Sequence, residues 1–240
     1  MATVYRTLAT HLDSDMPVYG LQARGVELPE PGHTSIEEMA HCYIEALLKV
    51  QPQGPYRLLG WSFGGNVALE MTHQLESTGA EVEILVLLDT SLVSAGTVSA
   101  EMDEVQGILD MAKNLGIAID GIPTDQAKQR VLGAMIGHGL LPAEADMPLL
   151  QRIADDMQRS VRLMHRHEAK KINAPILYMQ ASDNLATRLD ASLSSVTSGR
   201  VIIEHVLQTH FKMCTEESSP DLARQINGLV HLITSERVSV

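Results

Sequence analysis

Aromatic side chains make up only 3% of the 240 residues, so Leu, Ile, Val and Met must fill the core. Met, present twelve times, is flexible enough to fill irregular gaps or to form an adaptable apolar surface. Cysteine is nearly absent. Cys42 and Cys214 lie far apart, with neither the density of a disulfide framework nor a metal-ligand spacing, and this suits a reducing cytoplasm. No apolar run is long enough to span a bilayer as a helix. The N-terminus lacks the basic-then-apolar pattern of a secretory signal. Positive charge is also in short supply: 18 Lys and Arg against 30 Asp and Glu leave a net charge of −12. That balance argues against nucleic acid or an anionic membrane as the main partner.

What is present is the make-up of a folded soluble domain, with 45% apolar and 20% charged residues. The length allows one large domain over residues 1–240. Residues 2–12 read as a short helix and Pro17-Val18-Tyr19-Gly20-Leu21 as a strand. Ser35 opens a helix, with Glu38 three residues on as a capping box. Tyr56-Arg57-Leu58-Leu59 is a strand that leads into Gly60-Trp61-Ser62-Phe63-Gly64-Gly65. A helix follows from about Asn66 to Glu76. The continuous apolar run Ile84–Leu88 suits a strand buried on both faces, as in a parallel sheet. Residues 174–179 and 201–206 add two strands, and a last helix starts near Ser219-Pro220. Such alternation predicts an α/β fold, a mainly parallel sheet with helices on both faces.

The pattern changes between about residues 92 and 172. Met102, Val105, Leu109, Ala112 and Leu115 lie at helical spacing before Gly116, and Leu150, Ile153, Met157, Val161 and Met164 repeat it. The expectation is a helical lid, inserted where an open α/β sheet holds its ligand crevice.

Gly60-Trp61-Ser62-Phe63-Gly64 matches G-x-S-x-G, and its strand-before, helix-after setting is the one a nucleophile elbow requires. The glycines on either side of Ser62 avoid backbone clashes in so tight a turn. The turn lifts the hydroxyl above the sheet at a helix N-terminus, where negative charge is favoured. A plain glycine-rich β–α turn is the weaker alternative. A serine needs a base. Among ten histidines, His210, in a loop after a late strand, suits the order Ser…Asp…His. His165 and His167 read as solvated residues at a helix end, and His205 as a pleat-face residue. Two acids end strands and could orient the base, Asp89 and Asp183. Position alone leaves both open.

These residues resemble a known family. Gly-Pro-Tyr-Arg-Leu-Leu-Gly-Trp-Ser-Phe-Gly-Gly at 54–65 looks like the nucleophile region of thioesterase domains that end nonribosomal peptide synthetases. Residues 17–25, Leu87-Leu88-Asp89 and Thr209-His210-Phe211 look like further segments of that α/β-hydrolase family. The resemblance implies an acyl or peptidyl thioester carried on the phosphopantetheine arm of a carrier protein, an acyl-Ser62 intermediate, and release as an acid or a macrocycle. The sequence itself indicates no metal and no bound cofactor. The resemblance favours Asp89 as triad acid, with Asp183, used by free-standing editing relatives, as the alternative, and it makes the N–H of Phe63 an oxyanion-hole donor. Relatives carry a strand and a His-Pro-x-Gly-Gly-type loop before the first helix seen here. The expectation is therefore an N-terminally truncated domain, a fragment of a larger synthetase or a shortened gene product, lacking one oxyanion donor. Losing such a donor costs about 10²–10³ in rate.

Arg159, Arg162, His165, Arg166, His167, Lys170 and Lys171 form a basic stretch in this acidic chain, a candidate dock for an acidic carrier or its phosphate. The competing expectations are an editing thioesterase, an ordinary carboxylesterase and a catalytically impaired carrier-binding remnant.

Overall fold

The computed structural model describes residues 1–13, 16–27, 30–92, 108, 112–113, 116–119, 121–184 and 190–235. The chain divides into two compact units. One comprises residues 33–98, 163–207 and 228–240; the other comprises residues 1–32, 99–162 and 208–227.

The first of these units holds the sheet. Strands β1 (Tyr56–Trp61), β2 (Val82–Leu88), β3 (Ile176–Gln180) and β4 (Val201–His205) lie in the order β1-β2-β3-β4. Every pairing is parallel. Burial follows position. The inner strand β2 is buried from Ile84 to Leu88 and all of β3 is buried, whereas β4 at the edge is only half-buried. At the other edge β1 alternates, with Tyr56, Leu58 and Gly60 buried. The continuous apolar runs of β2 and β3 are therefore the signature of strands covered on both faces.

Helix α2 (Ile36–Val50) begins where the capping box places it, with Ser35 Oγ accepting from the Glu38 N–H at 3.0 Å. The Glu38 carboxylate reaches back one residue further than expected and accepts from the N–H and hydroxyl of Thr34. Helix α3 (Phe63–Ser77) packs on β1 and β2, and α2 packs on α3. Gly79, just past α3, has φ 82°.

His167 departs from the sequence reading. It is not solvated but buried, with Nδ1 2.9 Å from Oε1 of Glu37 on α2. Burial acts to raise the Glu37 pKa, but hydrogen bonds from backbone and from His167 outweigh it and hold the carboxyl below its ordinary value. Nearby, Glu70 on α3 is buried; its Oε1 accepts from Gln74 Nε2 and lies 3.7 Å from Lys170 Nζ.

The other unit contains α1 (Arg6–His11), preceded by a 3₁₀ turn, Ala2–Tyr5, and α4 (Thr124–Gly137). Helix α5 (Met147–Arg166) runs through it as far as Arg162. The helical insertion is present between β2 and β3: α4 and α5 are its long helices, and no strand of the sheet lies there among the described residues. Of the earlier helical run, Met102, Val105, Leu109 and Leu115 fall outside the described residues, while Ala112 is helical and buried.

The strand expected at residues 17–21 does not form. That segment is irregular, with Val18 and Tyr19 exposed. A strand requires a neighbour that takes its hydrogen bonds, and among the described residues none pairs with it. Arg159 is also not the free cation that the charge pattern suggested. It pairs with Asp156 at 3.0 Å, and its guanidinium fills the space beside Gly32, where a Cβ would lie 2.1 Å from Nη1. Arg152 Nε donates to the Val26 carbonyl at 2.6 Å, so two arginines of α5 fasten the loop before α2.

The remaining elements are α6 (Asp190–Val196) and α7 (Ser219–Ser235). On α7, Leu222, Ile226 and Ile233 are buried along one face. No helix among the described residues is long and apolar enough to cross a membrane.

Candidate active site

In the sheet-bearing unit, β1, β2 and β3 end side by side, with Trp61 opposite Leu88 and Leu88 opposite Met179. Ser62 follows β1 directly. Its N–H donates to the Leu88 carbonyl at 2.9 Å, which ties the turn to the neighbouring strand. Its backbone has φ 54° and ψ −126°, a conformation that costs a serine about 1–3 kcal/mol. Asp89 follows β2 with φ 45°. Among the described residues these are the two non-glycine positions with positive φ. The sequence had singled out both on chemical grounds.

Steric facts explain the glycines around Ser62. A Cβ on Gly60 would lie 2.3 Å from the Gly64 carbonyl oxygen and 2.6 Å from the Gly65 Cα. A Cβ on Gly65, outside the five-residue motif, would lie 1.9 Å from Thr90 Oγ1. The chain thus closes tightly around the serine and against the residue after Asp89. Gly60→Ala meets only backbone, which cannot step aside. It is expected to destabilise the fold by about 3 kcal/mol and to lower the melting temperature by about 6–12 °C. Thermal unfolding followed by circular dichroism checks this.

Phe63 begins α3, so the helix offers its N–H no acceptor, and the positive end of the helix dipole lies there. Asn66, one turn on, is buried. Its amide donates to the Ser91 carbonyl at 3.3 Å and lies 3.6 Å from the Met164 sulfur, joining α3 to the chain after β2 and to the last turn of α5.

The two candidate acids differ sharply. Asp89 is 4% exposed. Its Oδ1 accepts from the Ala181 N–H at 3.1 Å, and its Oδ2 accepts from the Asn184 side-chain amide. Tyr178, whose hydroxyl donates to the Thr90 carbonyl at 2.8 Å, has its pKa raised by burial and then by the Asp89 charge. Asp183 is exposed on a 3₁₀ turn, Ser182–Asn184, after β3. His210 opens a 3₁₀ turn, His210–Lys212, five residues past the end of β4 and within the other unit; its ring meets Phe211 edge-on at 5.0 Å.

Sequence reasoning missed Asn184, Gln180, Thr90 and Asn66. Asn184 stands next to a residue already suspected, but its neighbour in space, Asp89, is 95 residues away along the chain, so no local pattern marks it. The two cysteines are free, and burial pushes the Cys214 thiol up to about 12.

A strained serine between a parallel strand and a helix, glycines where the turn closes, and a buried carboxylate on the adjacent strand tip define an α/β hydrolase. Residues 1–230 match the thioesterase domain family model, and the chain belongs to that family. It is 30% identical to malpibaldin synthetase of Mortierella alpina over 93% of its own length, and 29% identical to a dimodular nonribosomal peptide synthase of Bacillus subtilis (strain 168) over 74%. It spans only 4% and 8% of those proteins. Among solved structures, the NocB thioesterase domain in covalent complex with a fluorophosphonate nocardicin G analog has the same fold. Its TM-score is 0.70 at 23% identity, over 95% of this chain and 89% of that one.

Proposed function

We propose that this thioesterase domain releases an acyl or peptidyl chain from the phosphopantetheine arm of a carrier protein in nonribosomal peptide or polyketide synthesis, with Ser62, His210 and Asp89 as its triad. The observation that carries the reading is the confinement of positive φ, among non-glycine described residues, to Ser62 and Asp89. Such strain persists where the surrounding structure over-determines it, and it clusters at functional sites.

In the proposed chemistry the Ser62 oxygen attacks the thioester carbonyl while His210 takes its proton. The tetrahedral oxyanion accepts from the Phe63 N–H at the start of α3. Collapse breaks the C–S bond, and the proton on His210 passes to the departing pantetheine sulfur. Water, or a nucleophile within the acyl chain, then attacks the ester with His210 again as base, and Ser62 leaves with its proton restored. Asp89 holds the imidazole in the required tautomer and stabilises its charged form. The helical insertion at about 92–172 is assigned the role of lid. Two free thiols suit a reducing cytoplasm.

The test is a comparison of a pantetheine thioester with a simple ester of the same acyl group. Thioester turnover is expected to exceed ester turnover by at least about tenfold in kcat/KM, the equivalent of about 1.4 kcal/mol in the transition state. Equal rates would point instead to an ordinary carboxylesterase.

Carrier docking is assigned to the exposed cations Arg162 and Arg166 on α5, with Lys171 beyond it. Arg159, His167 and Lys170 are already engaged with Asp156, Glu37 and Glu70. Reversing Arg162 and Arg166 to Glu is expected to raise KM about tenfold for carrier-bound substrate and to leave the free pantetheine thioester unaffected. A double variant that handles the carrier-bound substrate normally removes the docking assignment.

A further inference from the structure

We propose that Asn184 is a positioning residue: its side-chain amide locks the Asp89 carboxylate in the orientation that serves the histidine. This rests on the reading of Asp89 as triad acid and assigns that acid a partner no sequence motif marks. A carboxylate turns about its last bond in a broad, shallow potential. At Asp89, Oδ1 accepts from the Ala181 N–H and Oδ2 accepts from the Asn184 amide. Rotation would break both bonds.

The clamp is itself braced. The Asn184 carbonyl accepts from Nε2 of buried Gln180 at 2.8 Å, and the Asn184 N–H donates to the Ala181 carbonyl at 3.1 Å. Gln180 is the last residue of β3, and its carbonyl accepts from Val206 at the end of β4. The turn is thus anchored on both sides. It points the amide of Asn184 at Asp89 and leaves Asp183 exposed. The turn that bears the alternative acid works for the first one.

Two variants separate positioning from a turn-forming role. Asn184→Ala is expected to lower kcat about 10- to 100-fold, the range for hydrogen bonds to charged groups, with KM changed by less than about threefold. Asn184→Asp keeps turn chemistry, since Asp suits such turns as well as Asn does, but sets a second carboxylate against Asp89. Two carboxyls so close share one proton, and the second ionises only at raised pH. At low pH the shared proton bridges them and the geometry holds. As pH rises both ionise and repel, so kcat/KM should fall along an alkaline limb at lower pH than any the wild type shows. Melting temperature should drop over the same range.

A wild-type kcat in Asn184→Ala overturns the proposal. So does an Asn184→Asp enzyme with the wild-type pH profile, because Asn184 would then only shape the turn. If Asp89→Asn stays active, the assignment of the acid fails first; if Asp89→Asn is inactive and both Asn184 variants behave as wild type, only the positioning role fails.

Discussion

Ser62→Ala is expected to lower kcat by about 10⁶-fold, to the residual rate that oxyanion stabilisation and substrate binding alone supply. The size follows from the chemistry. Without the hydroxyl there is no acyl-enzyme, and a base with no nucleophile to deprotonate contributes little. Triad members therefore fail together: His210→Ala should cost about as much, and the double variant hardly more. A fluorophosphonate probe gives the same answer without a substrate, through labelling of the wild type that vanishes in Ser62→Ala. Stability should move the other way at this position. Ser62 holds φ 54°, which glycine adopts without steric penalty, so Ser62→Gly should be inactive yet more stable by about 1 kcal/mol. Urea unfolding of the two proteins measures this. An active Ser62→Ala protein would end the nucleophile assignment, and with it the mechanism.

The second large effect separates the two acids. Asp89→Asn should lower kcat near neutral pH by about 10⁴-fold, because an amide can favour the wrong imidazole tautomer and cannot stabilise the charged ring. It also sets one amide group where two donors now meet a carboxylate. With a donor facing a donor in a buried place, about 1–3 kcal/mol of stability should be lost as well. Asp183→Asn, on an exposed turn, should stay within about 0.5 kcal/mol in stability and within about threefold in kcat. The reverse pattern would transfer the acid to the end of β3 and favour the editing reading. Steady-state kinetics on one thioester, together with chemical denaturation, measures both variants.

The carboxylates show what kind of fact a sequence carries. Each ends a strand, each precedes turn-forming residues, and from spacing they are equivalent. They are told apart by burial and by partners 92 and 95 residues distant. His167 teaches the same lesson in reverse. At the end of a basic helix it looks solvated, yet it is buried and meets Glu37, 130 residues away. Arg159 has the sequence setting of a surface cation, but glycines of the loop before α2 lie against its guanidinium. Residues 17–21 have the composition of a strand but, among the described residues, no strand to pair with.

By itself the sequence determined what short-range sterics and periodicity control. Those are the order of strands and helices along the chain, the continuous burial of β2 and β3, the Ser35 cap, and the tight turn whose glycines make room around Ser62. Apolar spacing and a missing Cβ act within a few residues, so they can be read along the chain. Tertiary structure decided which acid is buried, which cations stay exposed and which side chain donates to the buried carboxylate. Those outcomes depend on desolvation and hydrogen bonding between segments that folding brings together, and the free energy of such contacts exists only once the strands lie side by side.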